Sequence, residues 1–552
     1  MSKDFEEFAK TCEKIKGTTS KLSKISFLSD FLKSLDDEDI PIAIKLLTSQ
    51  IFPPWENKDL QVGYSTIVKL LKEVTGLNDD ILSKTIVKLG DLGDAAEFLL
   101  KIKKVENPFF TKKLTLAEVY NTLAKLAEYK GEGSVNARKN LLKKLFINAN
   151  PLEAKYIVKI LTNEMRIGLS EGLIEESITH AFNKTLEEIR NAFLLFPDLS
   201  KIAIHAKLNQ LNLISIEVLT PTNFMLADFM QTSTEIVNYF KKELICEYKY
   251  DGIRCQIHKK GDKVKLFSRK FEEISYFLPE IVEDFMKIKF DFILDSEILP
   301  IKGDRPLPFQ ELQKRLHRKY VDESIIYEVP VVAIVYDVIY YKDSPVIDLP
   351  LRERKKILKE FEFGEKAEEA KYFLVKNSSD IDRLFNESLE KGFEGLMLKD
   401  PDSKYTPGKR GRYWIKLKKE FDTLDVVIVA AEYGHGKRSG VLSDYTFAVK
   451  DNDELKVIGK AYSGLTDEEI ELMDRKLREL AIKDLGYKIF VKPVIVIEVA
   501  FDSIQRSDRH ESGFALRFPR IKRIRYDKSP EEIDTLEKVI EIYNRKKSIY
   551  SQ

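Results

Sequence analysis

From residue 1 to about 215, apolar residues recur at i, i+3, i+4 and i+7, the stripe of an amphipathic helix. The runs ISFLSDFLKSL, DAAEFLLKIKKV, LAEVYNTLAKLAEY and ARKNLLKKLFINA all carry it. Ser, Asp or Asn often stands just before such a run, where a helix cap is expected. The spacing predicts an all-helical unit over 1–215, and periodicity alone fits a helical scaffold or interaction module. Near residue 216 the period changes. From ELICEYKYDGIRCQIHKKGDKVKLFSR onward, short alternating runs bounded by Gly and Asp predict strands, interrupted by helices such as SSDIDRLFNESLEKG. After YWIKLKKE the segments TLDVVIVAAEYGHGKRSG, DYTFAVKDNDELKVIGKAYSG and KPVIVIEVAFDSIQ predict a small β-barrel. The tail SPEEIDTLEKVIEIYNRKK reads as one capped helix. The resulting division is 1–215, 216–420 and 421–552, a multidomain α+β chain.

Length agrees, because 552 residues exceed what one core organises. A hydrophobic fraction of 43% is ample for packed interiors. A charged fraction of 33% with only nine glutamines resembles proteins from hot environments and also those of mesophiles with lysine-rich proteomes. With 91 basic and 90 acidic residues there is no attractive monopole for a polyanion, so a nucleic-acid partner requires locally segregated basic surface. Cys12, Cys246 and Cys255 form no CxxC pair and are too few for a four-cysteine zinc site; they read as free thiols in a reducing cytoplasm. With no apolar run of 18 residues and no signal-peptide core, a soluble, cytoplasmic protein with no membrane partner is expected.

The sharpest local signal is Glu247-Tyr-Lys249-Tyr-Asp251-Gly252-Ile-Arg254. In a strand, alternate side chains share a face, which puts Glu247, Lys249 and Asp251 together. From this segment alone the lysine reads either as a surface ion-pair partner or as a nucleophile. Free lysine titrates near about 10.4, so only about one in 2,500 is neutral at pH 7. A nucleophilic lysine therefore needs burial or neighbouring cations to lower its pKa. Candidate cations follow: Lys416 and Lys418 share a strand face with Trp414, Lys399 ends the strand LMLK, and Arg410 lies in the turn GKRG. Carboxylates recur as well, with Asp295 and Glu297 on one face of FILDSEIL and Glu394 beside a glycine in GFEGLMLK. Taken singly these are solvated charges; together they are what a Mg²⁺-dependent phosphoryl transfer requires.

KYDGIR resembles the KxDGxR element of the covalent nucleotidyltransferases, the superfamily of ATP-dependent ligases and mRNA capping enzymes. SRKFEEIS, LDSEILP, VYDVIYYKD, GFEGLMLKD, WIKLKKE and LRFPRIKRIRYDK follow in that superfamily's order, and TNEMRIGLSEGLI and TPTNFMLAD lie upstream. The resemblance covers essentially the whole chain and is strongest to the archaeal and eukaryotic replicative DNA ligases. It implies an N-terminal all-α DNA-binding domain, a central adenylation domain and a C-terminal oligonucleotide-binding-fold barrel. The implied activity is sealing of nicks in duplex DNA, in replication, repair and recombination, with ATP and Mg²⁺ as cofactors. Nicked double-stranded DNA is the implied partner, a sliding clamp a further one, and the chain is expected to act as a monomer.

The same resemblance implies residue roles. Lys249 would carry AMP, Glu247 would accept from the adenine amino group, and Tyr336 would stack on the base. Arg254 and Arg269 would contact the nucleotide or the nick phosphate. Glu297 would hold ribose and, with Glu394, support Mg²⁺. Arg410, Lys416 and Lys418 would neutralise phosphates, while Arg517, Arg520 and Lys528 would orient the departing pyrophosphate. Three positions depart from the family pattern: DSE for DGE, Tyr336 for a more usual Phe, and Phe224 where Pro is common. None removes a reactive group. A capping guanylyltransferase would not carry so long a helical region, and an RNA ligase would lack the RIGL-type helical domain. A NAD-dependent ligase would need the four-cysteine zinc finger, and a purely helical nucleic-acid scaffold would leave every downstream motif unexplained.

Overall fold

A computed structural model describes residues 2–102, 113–131, 133–303, 305–316, 318, 321–418, 422–434, 438, 440–452 and 454–551. The expected boundary at 420/421, the end of the helix expected over 94–105 and part of the Gly-rich turn at 434–440 lie outside the described residues.

The described residues up to Lys207 form α-helices from Phe5–Lys16 to Leu199–Lys207. The four quoted runs fall in Lys21–Lys33, Leu92–Ile102, Leu116–Leu126 and Ser134–Asn148. Their caps are the expected ones: Ser20 accepts from the Ser23 amide, and Thr115, Asn150 and Thr185 each close a reciprocal box with a glutamate three residues on. The apolar stripes meet in one core that runs from Phe5 to Ile214.

The middle region builds two sheets. One orders the strands Asp228–Phe229, Trp414–Lys418, Gly395–Lys399, Leu244–Lys249 and Tyr372–Val375. The other places Phe292–Lys302 between Ile253–Lys260 and Val331–Tyr341, with Lys263–Ser268 outermost beyond Ile253–Lys260. Ile293, Leu299, Ile334 and Tyr336 from the second sheet pack with Trp414 of the first. The two sheets are thus held face to face, and the cavity described below opens between them.

The expected barrel is a half-barrel. Asp422–Tyr433 is paired with Leu442–Asp451, Lys488–Val491 and Val496–Phe501, and β-bulges at Ile428/Ala430 and Phe447/Ala448 help bend the sheet. The hairpin Ser503–Arg506/Phe514–Arg517 stands apart from that ladder. The tail corrects the sequence reading. Ser529 caps only a single 3₁₀ turn, Pro530–Glu532, and the long helix begins at Leu536. Ile533 is buried against Val427 and Val496 between the two, so tertiary packing interrupts what local capping would have joined.

The helical unit is docked on the middle one by named contacts. Thr222 Oγ1 donates to the Leu194 carbonyl and Asn223 Nδ2 to the Phe193 carbonyl. At a second point, Asn57 Nδ2 donates to the Glu273 carbonyl, and Asn57 Oδ1 accepts from the Glu273 amide. Among the described residues no helix is long and apolar enough to cross a membrane.

Candidate active site

Antiparallel pairing sets the register of the first wall. Glu247 lies opposite Met397, which in turn lies opposite Lys416; Lys249 lies opposite Gly395, which lies opposite Lys418. The lysine strand ends at Lys249 because the chain turns through Tyr250-Asp251-Gly252. A Cβ at Gly252 would run into the Ile298 carbonyl, so a side chain there would push this turn off the second sheet. Gly395 (φ 147°) is similarly crowded by the Leu417 carbonyl. This tight approach leaves the neighbouring Glu394 beside Lys249: the Glu394 amide donates to the Lys249 carbonyl, and the Lys249 ammonium is ion-paired to the Glu394 carboxylate.

The second wall is organised by Asp295, which is fully buried. Arg254 donates to it through Nε and Nη2 at 3.1 and 2.7 Å, and the hydroxyls of Tyr336 and Tyr405 donate to it at 2.8 and 2.7 Å. Two of Arg254's donors therefore face Asp295, and its guanidinium lies 4.9 Å from the Phe224 ring. Phe224 in turn stacks parallel to Phe271. The departure from proline at 224 thus supplies an aromatic face to Arg254. Tyr336 lines the cavity, edge-on to Trp414.

Between the walls lies a cavity of about 270 Å³. Of the residues singled out from the sequence, Glu247, Lys249, Arg254, Arg269, Glu297, Tyr336, Arg410 and Lys416 line it. Glu394 reaches it through its ion pair with Lys249. Lys418 lies farther along the same strand as Lys416, within electrostatic reach of Glu394 and Lys249. The barrel residues divide. Arg517 packs on Phe309 at 4.8 Å, and it and Asp502 are within electrostatic reach of Asp251. Lys528 instead donates to Asp425 at 2.7 Å within the barrel, alongside Arg525, and Arg520 is exposed on the strand Arg520–Ile524.

The electrostatics divide the cavity in two. At one end Lys416 is held below the ordinary lysine value by burial and by Lys249, Arg410 and Arg269, a cation cluster suited to phosphate. Lys249 departs from expectation. Burial lowers its pKa, as a nucleophile would require, but Glu394, with Glu297 and Asp251, more than offsets that and leaves it raised. In this state it is a held cation. The carboxylates respond to the same crowding: burial pushes Glu297 up to about 8, and burial with Glu394 and Asp502 pushes Asp251 up to about 6. Glu297 and Glu394, within electrostatic reach of each other and of Lys249, are carboxylates that would suit a Mg²⁺ ion completing its shell with water and phosphate oxygens. Among the described residues no group of three or more His, Cys, Asp or Glu could hold a metal without such help.

The other end is aromatic, built from Tyr336, Trp414 and Met397, and holds an ion cluster that the sequence does not reveal. Glu247 is buried, with the Lys355 and Lys399 ammonium groups 2.6 and 2.5 Å from its oxygens. Lys399 is visible as the last residue of LMLK. Lys355 sits in LRERKKIL, where neighbouring charges make it look like one more solvated helix residue; no local signal marks it.

The family model described as the ATP dependent DNA ligase domain matches residues 224–418, the DNA ligase N terminus matches 4–179, and the ATP dependent DNA ligase C terminal region matches 438–528. A protein named "Probable DNA ligase" from Koribacter versatilis is 40% identical over 97% of this chain and 96% of its own. A DNA ligase from Archaeoglobus fulgidus is 36% identical over 98% of both. A solved chain called Pmar-Lig_PreS3 is 18% identical, superimposes with a TM-score of 0.57 and covers 94% of this chain and 99% of that one, a likeness of fold.

Proposed function

The chain belongs to the family of ATP-dependent DNA ligases and seals nicks in DNA through an adenylate intermediate, and we propose that Lys249 is the residue that carries the adenylate. The observation that carries this reading is that Lys249 lines one cavity with both the cation cluster and the aromatic groups, on the strand face it shares with Glu247 and within electrostatic reach of Lys416. A nucleotide whose base enters the aromatic end has its phosphates among Arg269, Arg410 and Lys416. The Lys249 amine attacks the α-phosphorus, the bond to pyrophosphate breaks, and AMP remains on the lysine. The 5′-phosphate of the nick then takes the AMP, and the 3′-hydroxyl displaces it to form the phosphodiester. Before the first step Lys249 must lose its proton and leave its ion pair with Glu394, which frees that carboxylate for the metal.

In this reading Glu297 and Glu394 hold Mg²⁺, which when bound neutralises phosphate charge. Glu247 meets the base, and Tyr336 flanks it. Arg254 braces Tyr336 and the cavity wall through Asp295. Arg517 approaches the pyrophosphate side from the barrel. The helical unit over 1–215 grips duplex DNA through its backbone, 216–420 performs the chemistry, and 421–552 closes over nucleotide or DNA in turn. The enzyme acts as a monomer in the cytoplasm, in replication and repair, with a sliding clamp as a partner.

Lys249→Ala is expected to lose covalent labelling by ATP labelled at the α-phosphate and to lose nick sealing. It retains some sealing of a pre-adenylated nick, a step that does not use the lysine as nucleophile. Covalent labelling of the variant would assign the adenylate to another residue.

A further inference from the structure

The ion cluster at the aromatic end has a geometry that a structural role does not require. Glu247 projects from the strand Leu244–Lys249 into the cavity, on the same face as Lys249. Lys399 also lines the cavity, with its ammonium 4.6 Å from the centre of the Tyr336 ring and 4.2 Å from that of Trp414. Lys355 is on the helix Leu351–Leu358, is itself buried, and does not line the cavity, so it reaches the ligand space only through Glu247. Two cations thus hold one carboxylate, and that carboxylate is presented to whatever ring fills the aromatic end.

The consequence concerns the donor pattern of that ring. An ionised carboxylate only accepts hydrogen bonds; a protonated one also donates. Adenine offers a 6-amino donor, whereas guanine offers a 6-oxo acceptor at the same place. A carboxylate facing the oxo group, with water excluded, sets acceptor against acceptor and leaves the oxo group without a donor from Glu247, and rejection of that kind is large. A buried carboxylate without cations favours its neutral form, which could donate to the oxo group and admit guanine.

We propose that Lys355 and Lys399 make the site selective for adenine over guanine nucleotides by holding Glu247 as an acceptor-only anion. The inference rests on the reading that the base of ATP enters the aromatic end beside Glu247. Lys355 is then a positioning residue that acts from behind the carboxylate. Other titratable groups near Glu247 are Glu369, Tyr250 and Cys246, with Tyr372 opposite it in the sheet and Asp337 near Lys399. Glu369, within reach of Lys355 and Glu247, has its pKa raised by burial. Tyr250 has its pKa raised by burial and then by Glu247. Asp337 is engaged by Arg354. None replaces a lost lysine as a cation.

The test is covalent self-labelling with α-labelled ATP and α-labelled GTP, each with Mg²⁺, between pH 6 and 8.5. Lys355→Met is expected to lower the ATP:GTP ratio of kcat/KM by about tenfold or more, equivalent to about 1.4 kcal/mol. Lys355→Arg, which keeps the charge, is expected to retain the wild-type ratio. Should Lys355→Met fail to fold, Lys399→Met carries the same expectation and the same ratio decides. An unchanged ratio while both nucleotides lose activity by the same factor would mean that the cluster is only structural, and the inference falls. Failure of the wild type to label with ATP would overturn the Lys249 reading and this inference together; normal ATP labelling with an unaltered ratio overturns this inference alone.

Discussion

Burial holds the Glu297 carboxyl at about 8, far above its value of about 4.5 in an unfolded chain. A carboxyl whose folded pKa is raised contributes stability that is complete below about pH 4.5 and is lost as pH rises through about 8. Glu297→Gln removes this dependence. The variant is expected to match or trail the wild type in Tm at pH 5 and to exceed it at pH 9, by about 2–4 °C per kcal/mol recovered. Its lysine adenylation should fall by roughly 10²-fold, since a carboxylate that costs stability is the one the chemistry needs. Scanning calorimetry across pH decides it, and parallel Tm curves for the two proteins would remove the assignment. At this scale residue identities were legible and their net electrostatics were not. Lys249 illustrates the difference. Its flanking carboxylates are visible in EYKYDG, but whether burial or Glu394 dominates depends on a contact across 145 positions of chain.

Among the elements, the turn that ends the lysine strand is the tightest join between the two central sheets. Gly252→Ala places a methyl against the Ile298 carbonyl, which belongs to a paired strand and cannot swing aside. The expected cost is about 1–3 kcal/mol, together with a loss of adenylation as Lys249 is displaced. Gly261→Ala is the comparison. It has a positive φ of 55° but open space around its Cβ, so strain is expected without loss of adenylation. Equal adenylation rates in the two variants would show that the close approach at 252 does not position Lys249. Gly252 was readable as a turn residue; that its constraint is a neighbouring carbonyl was not. Helices of the first 215 residues were legible because their signal, apolar spacing plus a cap, is confined to a dozen positions. In the tail the same local signal misleads, since Ser529 caps a turn that Ile533 then breaks by packing into the barrel.

For the whole molecule, what matters is which barrel residues the docking of the units carries to Lys249. Arg517 approaches Asp251 and Phe309, while Lys528 is tied to Asp425 within its own unit. Arg517→Ala is expected to slow lysine adenylation by roughly 10²-fold and to leave sealing of a pre-adenylated nick far less affected, because pyrophosphate leaves only in the first step. Lys528→Ala is expected to lose about 1 kcal/mol or less of barrel stability, as for a partly exposed ion pair, with adenylation little changed. Single-turnover rates of the two steps separate the alternatives. A first-step defect in Lys528→Ala as large as that of Arg517→Ala would mean that the barrel turns a different face to the nucleotide during catalysis.

Sequence alone determined the family and the three-part order of helical, mixed and β regions, and it singled out Lys249 with most of the residues that line the same cavity. These follow from short-range spacing: periodicities of 3.6 and 2, caps, and motifs whose members lie on one strand. Tertiary structure alone decided the Asp295 hub under Arg254, the clamping of Glu247 by Lys355 and Lys399, the sign of the shift at Lys249, and the separation of Arg517 from Lys528. Each is a balance between desolvation and charges brought together from distant positions, and no local pattern records which distant charge arrives.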